Sequence, residues 1–163
     1  MLEEYGVTFR VMHGYSSATA VRQIADETAD EPLLTFYCGD WDPSGLHMSE
    51  VDLPRRLDEY GADVELVRVA LTEGDTNSGL PHFAVEEKRG DPRHDWFVRR
   101  YGHRCFELDA LNPNVLRDRV RAAIRGEIDF EAWNRCKTVE LAEHRSLTEV
   151  MRSWGRSAAG TAP

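Results

Sequence analysis

Hydrophobic positions in the N-terminal half of the chain switch between a period of two and a period near 3.6, which predicts alternating strands and helices. Val7 to His13 alternates as a strand does, and Gly14-Tyr15-Ser16-Ser17 follows as a turn with a hydroxyl N-cap. Ala18, Val21, Ile24 and Ala25 recur at helical spacing and predict a helix ending near Asp26 or Glu27. The apolar run Leu33 to Tyr37 reads as a second strand. Leu46, Met48, Val51, Leu53 and Leu57 predict a second helix, interrupted or restarted at Pro54 and closed by Tyr60-Gly61. Val64 to Leu71 is apolar enough for a third strand buried on both faces. Strands joined through helices run parallel, so this order predicts a doubly wound α/β domain.

The C-terminal half is less regular. Thr72 to Arg104 is rich in Gly, Pro, Asp and Arg, with Leu80, Phe83, Val85, Trp96 and Phe97 as its apolar anchors. Such a segment reads as a long functional or mobile loop. Cys105 to Leu108 is expected as a short fourth strand, ending in Asp109-Ala110-Leu111. Asn112-Pro113-Asn114 opens a helix through Val115, Leu116, Val120 and Ile124, which Gly126 ends. Asp129 caps a last amphipathic helix containing Phe130, Trp133, Leu141, Leu147, Val150 and Met151. The expected organisation is an α/β domain over 1–128, a helix over 129–154 packing on it, and a disordered tail over 155–163.

Composition narrows the function classes. A chain of 163 residues, 41% hydrophobic and 30% charged, has enough apolar material for one self-sufficient core. It carries no run long enough to cross a bilayer and no signal-peptide pattern at Met1 to Tyr5, so a cytoplasmic location is expected. The three cysteines are far apart and the six histidines scattered, which suggests neither a disulfide framework nor a zinc site. A formal net charge of -9 argues against coating nucleic acid by bulk electrostatics. Between Lys88 and Arg104, however, Lys88, Arg89, Arg93, Arg99, Arg100 and Arg104 outnumber Asp91 and Asp95. This basic island is a solvated loop or a phosphate path. No P-loop, GxGxxG, nucleophile elbow or HExxH occurs.

The chemistry concentrates in Tyr37-Cys38-Gly39-Asp40-Trp41-Asp42-Pro43-Ser44-Gly45. An apolar run that empties into Gly-Asp-x-Asp and Pro-Ser-Gly places two carboxylates at the C-terminal edge of a strand, where open α/β sheets bind ligands. Asp40 and Asp42, two apart, share a face while Trp41 turns the other way into packing. Carboxylates this close repel unless a cation or a shared proton offsets them, so the pair is a candidate Mg²⁺ or Mn²⁺ site. Ser44-Gly45 opens the following helix with its N-terminus toward the same region, which suits a phosphate. The plainer alternative is an Asx-type turn and helix cap without a metal. Glu107 and Asp109 likewise share a face at the end of the expected fourth strand.

YCGDWDPSG resembles the D-x-D motif of the Toprim (topoisomerase-primase) domain, and most closely the bacterial and phage Toprim-like group related to the A subunit of topoisomerase VI. RVMHGYSSATAV, RVALT at Arg68 to Thr72, Leu80-Pro81, the Lys88, Asp91 and Arg93 stretch and FELDAL at Phe106 to Leu111 fit the same group. The likeness spans roughly Val7 to Arg125. It implies a compact Rossmannoid α/β domain, with a central, mostly parallel sheet of about four strands flanked by helices. It also implies Mg²⁺ or Mn²⁺ held by Asp40, Asp42, Glu107 and Asp109, and action on nucleic-acid phosphodiesters, DNA first. Catalysis would fall to Asp40, Asp42 and Glu107, with Lys88, Arg89, Arg93 and Ser44 on the nucleic-acid backbone.

Two departures stand out. Toprim enzymes carry a glutamate just after the first strand, where this chain has Met12-His13-Gly14-Tyr15. Either His13 substitutes, or Glu107 and Asp109 complete the site, or catalysis is weakened. The winged-helix domain that carries the cleaving tyrosine of topoisomerase VI has no counterpart here, which gives the expectation of a partner or a further N-terminal domain. Tyr15 and Tyr101 read as packing residues rather than nucleophiles. Three functions follow: a cation-dependent nuclease or strand-cleaving Toprim domain, a non-catalytic Toprim-like module that binds DNA or a partner, and a phosphatase of haloacid-dehalogenase type. The last would use Asp40 as nucleophile and Asp42 as acid/base, but that family has a hydroxyl pattern where this chain has Pro-Ser-Gly.

Overall fold

Apolar runs at Leu33–Cys38 (β1) and Val64–Ala70 (β2) form the parallel heart of a mixed α/β chain. The computed structural model describes residues 2–12, 18–28 and 32–159, with side chains as far as 154. Leu33 pairs with Val64 and the register runs to Tyr37 opposite Arg68, then shifts so that Cys38 faces Ala70. The helix α1, Ala18–Glu27, and the helical run between the strands sit as the sequence predicts. That run is α2, Pro43–His47, a π-helical turn over Met48–Asp52, and α3, Leu53–Glu59. Pro54 has no N–H to give to the preceding turn, and the widened π segment ends just before it.

Val21 and Ile24 of α1 pack with Met48, Leu53 and Leu57, and Tyr37, Val64 and Leu66 of the strands lie against them. A second core forms around the C-terminal ends of the strands from Trp41, Leu46, Ala70, Leu71, Val85, Phe97, Cys105, Phe106 and Leu111. Each of its larger side chains contributes about 1.5–3 kcal/mol by leaving water. This second core is the platform on which the Asp40-to-Gly45 turn rests.

Several expectations are corrected. Residues 7–12 form no strand, and His13 lies outside the described residues. Phe9 and Val11 are exposed, so the period-two pattern there is not matched by a buried face. Thr72 to Arg104 is an ordered subdomain rather than one loop. It contains 3-10 turns at Glu73–Asn77 and Val85–Lys88, the short strand β3 at Phe83–Ala84, and the helix α4 at His94–Tyr101. The expected fourth strand is the two-residue β4, Arg104–Cys105, antiparallel to β3. Phe106 then makes an isolated antiparallel bridge with Trp41, and Leu108–Ala110 is a 3-10 turn. The described residues therefore hold a two-stranded parallel sheet and a separate two-stranded antiparallel one.

Residues 1–124 and 125–163 are two compact units. The first includes most of α5, Pro113–Gly126. In the second, α6 runs Phe130–Ala159, beyond the expected end at 154; residues 160–163 lie outside the described residues. Asp129 caps α6 as predicted, accepting from the N–H groups of Glu131 at 2.9 Å and Ala132 at 3.0 Å. Leu147, Val150, Met151 and Trp154 of α6 are exposed. No helix among the described residues is long and apolar enough to cross a membrane.

Candidate functional site

The turn after β1 is built by its own residues. Asp42 is the N-cap of α2: its Oδ1 accepts the Gly45 N–H at 2.7 Å, and Pro43 follows at the start of the helix. A Cβ on Gly45 would stand 2.4 Å from the Asp40 carbonyl oxygen and 3.3 Å from Asp42 Oδ1. The glycine of the Pro-Ser-Gly motif is thus required by close backbone approach. Trp41, 6% exposed, packs in the second core.

The bridge between Trp41 and Phe106 is made by mutual N–H to carbonyl bonds of 2.9 Å. In an antiparallel pairing this sets Asp40 beside Glu107 and Asp42 beside Cys105. Asp40 Oδ1 also accepts the Leu108 N–H at 2.8 Å, which ties the DWDPSG turn to the ELDAL segment. Glu107 lies on the exposed rim. Partial loss of water and the charges of Asp40, Asp42 and Asp109 push its carboxyl above the ordinary value, against the pull of Lys88. Asp109, exposed in the following 3-10 turn, joins through this field and not through a bond to Asp40.

Lys88 supplies the countercharge. Its Nζ lies 3.2 Å from Asp42 Oδ2, and the Asp42 side chain is 5% exposed. Burial lowers the Lys88 ammonium, but the Asp42 hydrogen bond and the charges of Asp42, Glu107 and Asp40 outweigh it and leave its pKa raised. Both Asp42 oxygens are therefore engaged, one by the helix cap and one by Lys88. Within the pair the two roles differ: Asp40 with Glu107 forms the open couple, and Asp42 is the buried anchor.

The remaining predicted residues are dispersed. Ser44 is half-buried in the first turn of α2 and Arg89 is exposed. Arg93 is held by Asp91 through its backbone N–H at 2.8 Å and Nη2 at 2.8 Å, as well as Nε. Tyr101 packs edge-on to Trp41 at 5.3 Å and donates its hydroxyl to Glu50. Burial first, then Glu50, pushes its pKa up to about 12, so it is a neutral packing residue as expected. Tyr15 lies outside the described residues. The Cys105 thiol is pushed up to about 12 by burial and by Asp42, which leaves it unreactive.

Sequence reasoning missed Arg68. Its guanidinium donates to the carbonyls of Gly39, Asp40, Gly45 and Leu71 and to the Ser49 hydroxyl. The signal was available: one arginine inside the apolar strand VELVRVAL.

No protein-family model matches the chain, and no curated protein or solved structure matches it. Function therefore rests on the geometry of this site. Among the described residues no three His, Cys, Asp or Glu side chains converge as a metal centre. The donor set still suits a hard cation, because magnesium takes one or two carboxylates and completes its shell with water and phosphate oxygens. Among the described residues, Asp40 Oδ2 and the Glu107 carboxylate accept no hydrogen bond, and partial burial first, then the charges of Asp40, Asp42 and Asp109, raises the Glu107 pKa against the pull of Lys88.

Proposed function

We propose that this chain is a Toprim-like domain that holds Mg²⁺ or Mn²⁺ and acts on, or binds, the phosphodiester backbone of nucleic acid, DNA in the first instance. The observation that carries the reading is the Trp41–Phe106 bridge, which sets Asp40 beside Glu107 under the DWDPSG turn with Lys88 at its edge. The parallel β1–β2 pair and the helices between them are consistent with the compact Rossmannoid domain that the motif implies, in which further strands complete the sheet.

When bound, the cation would neutralise charge on a phosphate and its leaving oxygen. Asp40 and Glu107 would supply carboxylate oxygens to it, and Asp109 would add to the negative field. Asp42 fixes the helix start and holds Lys88 close by. A phosphate entering beside Asp42 draws on the same Lys88 ammonium, with exposed Arg89 and the Ser44 hydroxyl as further donors. Arg93 is bound to Asp91 and shapes the loop rather than the backbone path. Among the described residues no activated nucleophile belongs to this site, so a strand-cleaving reaction would use water or a tyrosine from a partner domain.

Incubating supercoiled plasmid with the protein and Mg²⁺ or Mn²⁺ tests the reading. Nicking that is abolished by EDTA and by Asp40→Asn supports it. Cation and DNA binding without cleavage selects the non-catalytic module, which the Lys88 countercharge on Asp42 favours. Absence of any cation binding overturns the proposal.

A further inference from the structure

We propose that Arg68 is the positioning residue of the candidate site, a guanidinium that holds from behind the turn presenting Asp40 to Glu107; this rests on reading the site as a divalent-cation centre. Arg68 lies on β2 opposite Tyr37, whose ring its guanidinium covers at 5.1 Å. Burying an arginine costs free energy that an ion pair commonly offsets. Among the described residues none of its hydrogen bonds goes to a carboxylate.

Its donors go instead to three segments that meet behind the site. Nη2 donates to the Gly39 carbonyl at 2.8 Å and to the Asp40 carbonyl, on the exit from β1. Nη1 donates to the Ser49 hydroxyl at 2.6 Å and the Gly45 carbonyl at 3.3 Å, across the first turns of the helical run. Nε donates to the Leu71 carbonyl at 2.6 Å, just past β2. The Ser49 hydroxyl donates in turn to the Gly45 or Leu46 carbonyl, each at 3.2 Å, and it lies in the π-helical turn. One planar fork thus spans both sides of the Asp40-to-Gly45 turn. With its carbonyl held by Arg68 and its Oδ1 held by Leu108, Asp40 has one orientation, and Oδ2 accepts no hydrogen bond within the described residues. A lysine keeps the charge but cannot reach these acceptors at once.

The test measures Mn²⁺ affinity of the full chain by electron paramagnetic resonance, with circular dichroism and Tm as folding controls. Arg68→Lys, with every carboxylate intact, is expected to stay folded and to bind Mn²⁺ about tenfold more weakly, the lower range seen when outer-shell partners of metal ligands are removed. Val21→Ala, a core variant away from the turn, is expected to lose Tm and keep its affinity. Arg68→Lys with wild-type affinity overturns the inference, as does an equal loss in Val21→Ala. If Arg68→Lys does not fold, Ser49→Ala decides: weakened binding supports the inference and unchanged binding overturns it. Wild-type protein that binds no Mn²⁺ removes the cation reading and this inference together, an outcome distinct from a failure of Arg68 alone.

Discussion

Gly45 shows how narrowly single residues shape the site. A methyl group there meets the Asp40 carbonyl oxygen at 2.4 Å, and that oxygen belongs to backbone that Arg68 holds in place. Gly45→Ala should therefore lower stability by about 1–3 kcal/mol, as overpacking does. Gly126→Ala, whose added Cβ meets nothing within 4 Å, should be neutral or mildly stabilising. Urea unfolding of the two variants checks the contrast. Asp75 gives a second residue-scale prediction. It is 2% exposed and bonded to Arg119 at 2.5 and 2.7 Å, while Thr72 donates to it at 2.8 and 2.9 Å. Arg119 lowers its pKa first and most, from 3.8 to about 2, against burial. The native carboxylate thus releases its proton more readily than the unfolded one. Its stabilisation, on the order of 2 kcal/mol, is complete above the unfolded value and disappears as pH falls toward the native one. Denaturation profiles between pH 5 and pH 2 should show that loss, and Asp75→Asn should flatten it.

At the scale of elements, what the sequence made legible is what period and caps control. Helices α1, α5 and the start of α6, and strands β1 and β2, follow from apolar spacing with Asn112, Pro113 and Asp129 as start signals. The 72–104 stretch is opaque because much of its order comes from side chains meeting across distance: Asp75 with Arg119, Lys88 with Asp42, and Tyr101 edge-on to Trp41. None of those contacts has a local period. Phe106 was misread for the same reason, since the bridge to Trp41 is antiparallel and the βαβ pattern predicts parallel neighbours. The candidate site was half legible. The sequence pointed to Asp40, Asp42, Glu107 and Lys88 and offered a helix cap as the plainer reading of the turn, but only the bridge sets Glu107 beside Asp40, and only the fold shows Asp42 as that cap, paired with Lys88. This assignment separates two substitutions. Asp42→Ala removes the α2 cap and should cost about 1 kcal/mol or more in urea unfolding, whereas Asp42→Asn keeps an acceptor for Gly45 and should cost less. Equal losses would contradict the capping role.

At the scale of the molecule, an acidic chain of net charge -9 gathers still more negative charge at one edge of its second core. Asp40, Asp42, Glu107 and Asp109 stand there against the Lys88 ammonium, and after partial burial it is the charges of Asp40, Asp42 and Asp109 that raise the Glu107 pKa. On the proposed reading, a cation would offset that charge and would let an acidic protein approach a phosphate backbone. The most direct measurement is anomalous diffraction from crystals soaked in Mn²⁺. The account predicts a peak bonded to Asp40 and Glu107 carboxylate oxygens, with Asp42 still on the Gly45 N–H. A fully occupied peak elsewhere, or none beside Asp40 at saturating Mn²⁺, would contradict it.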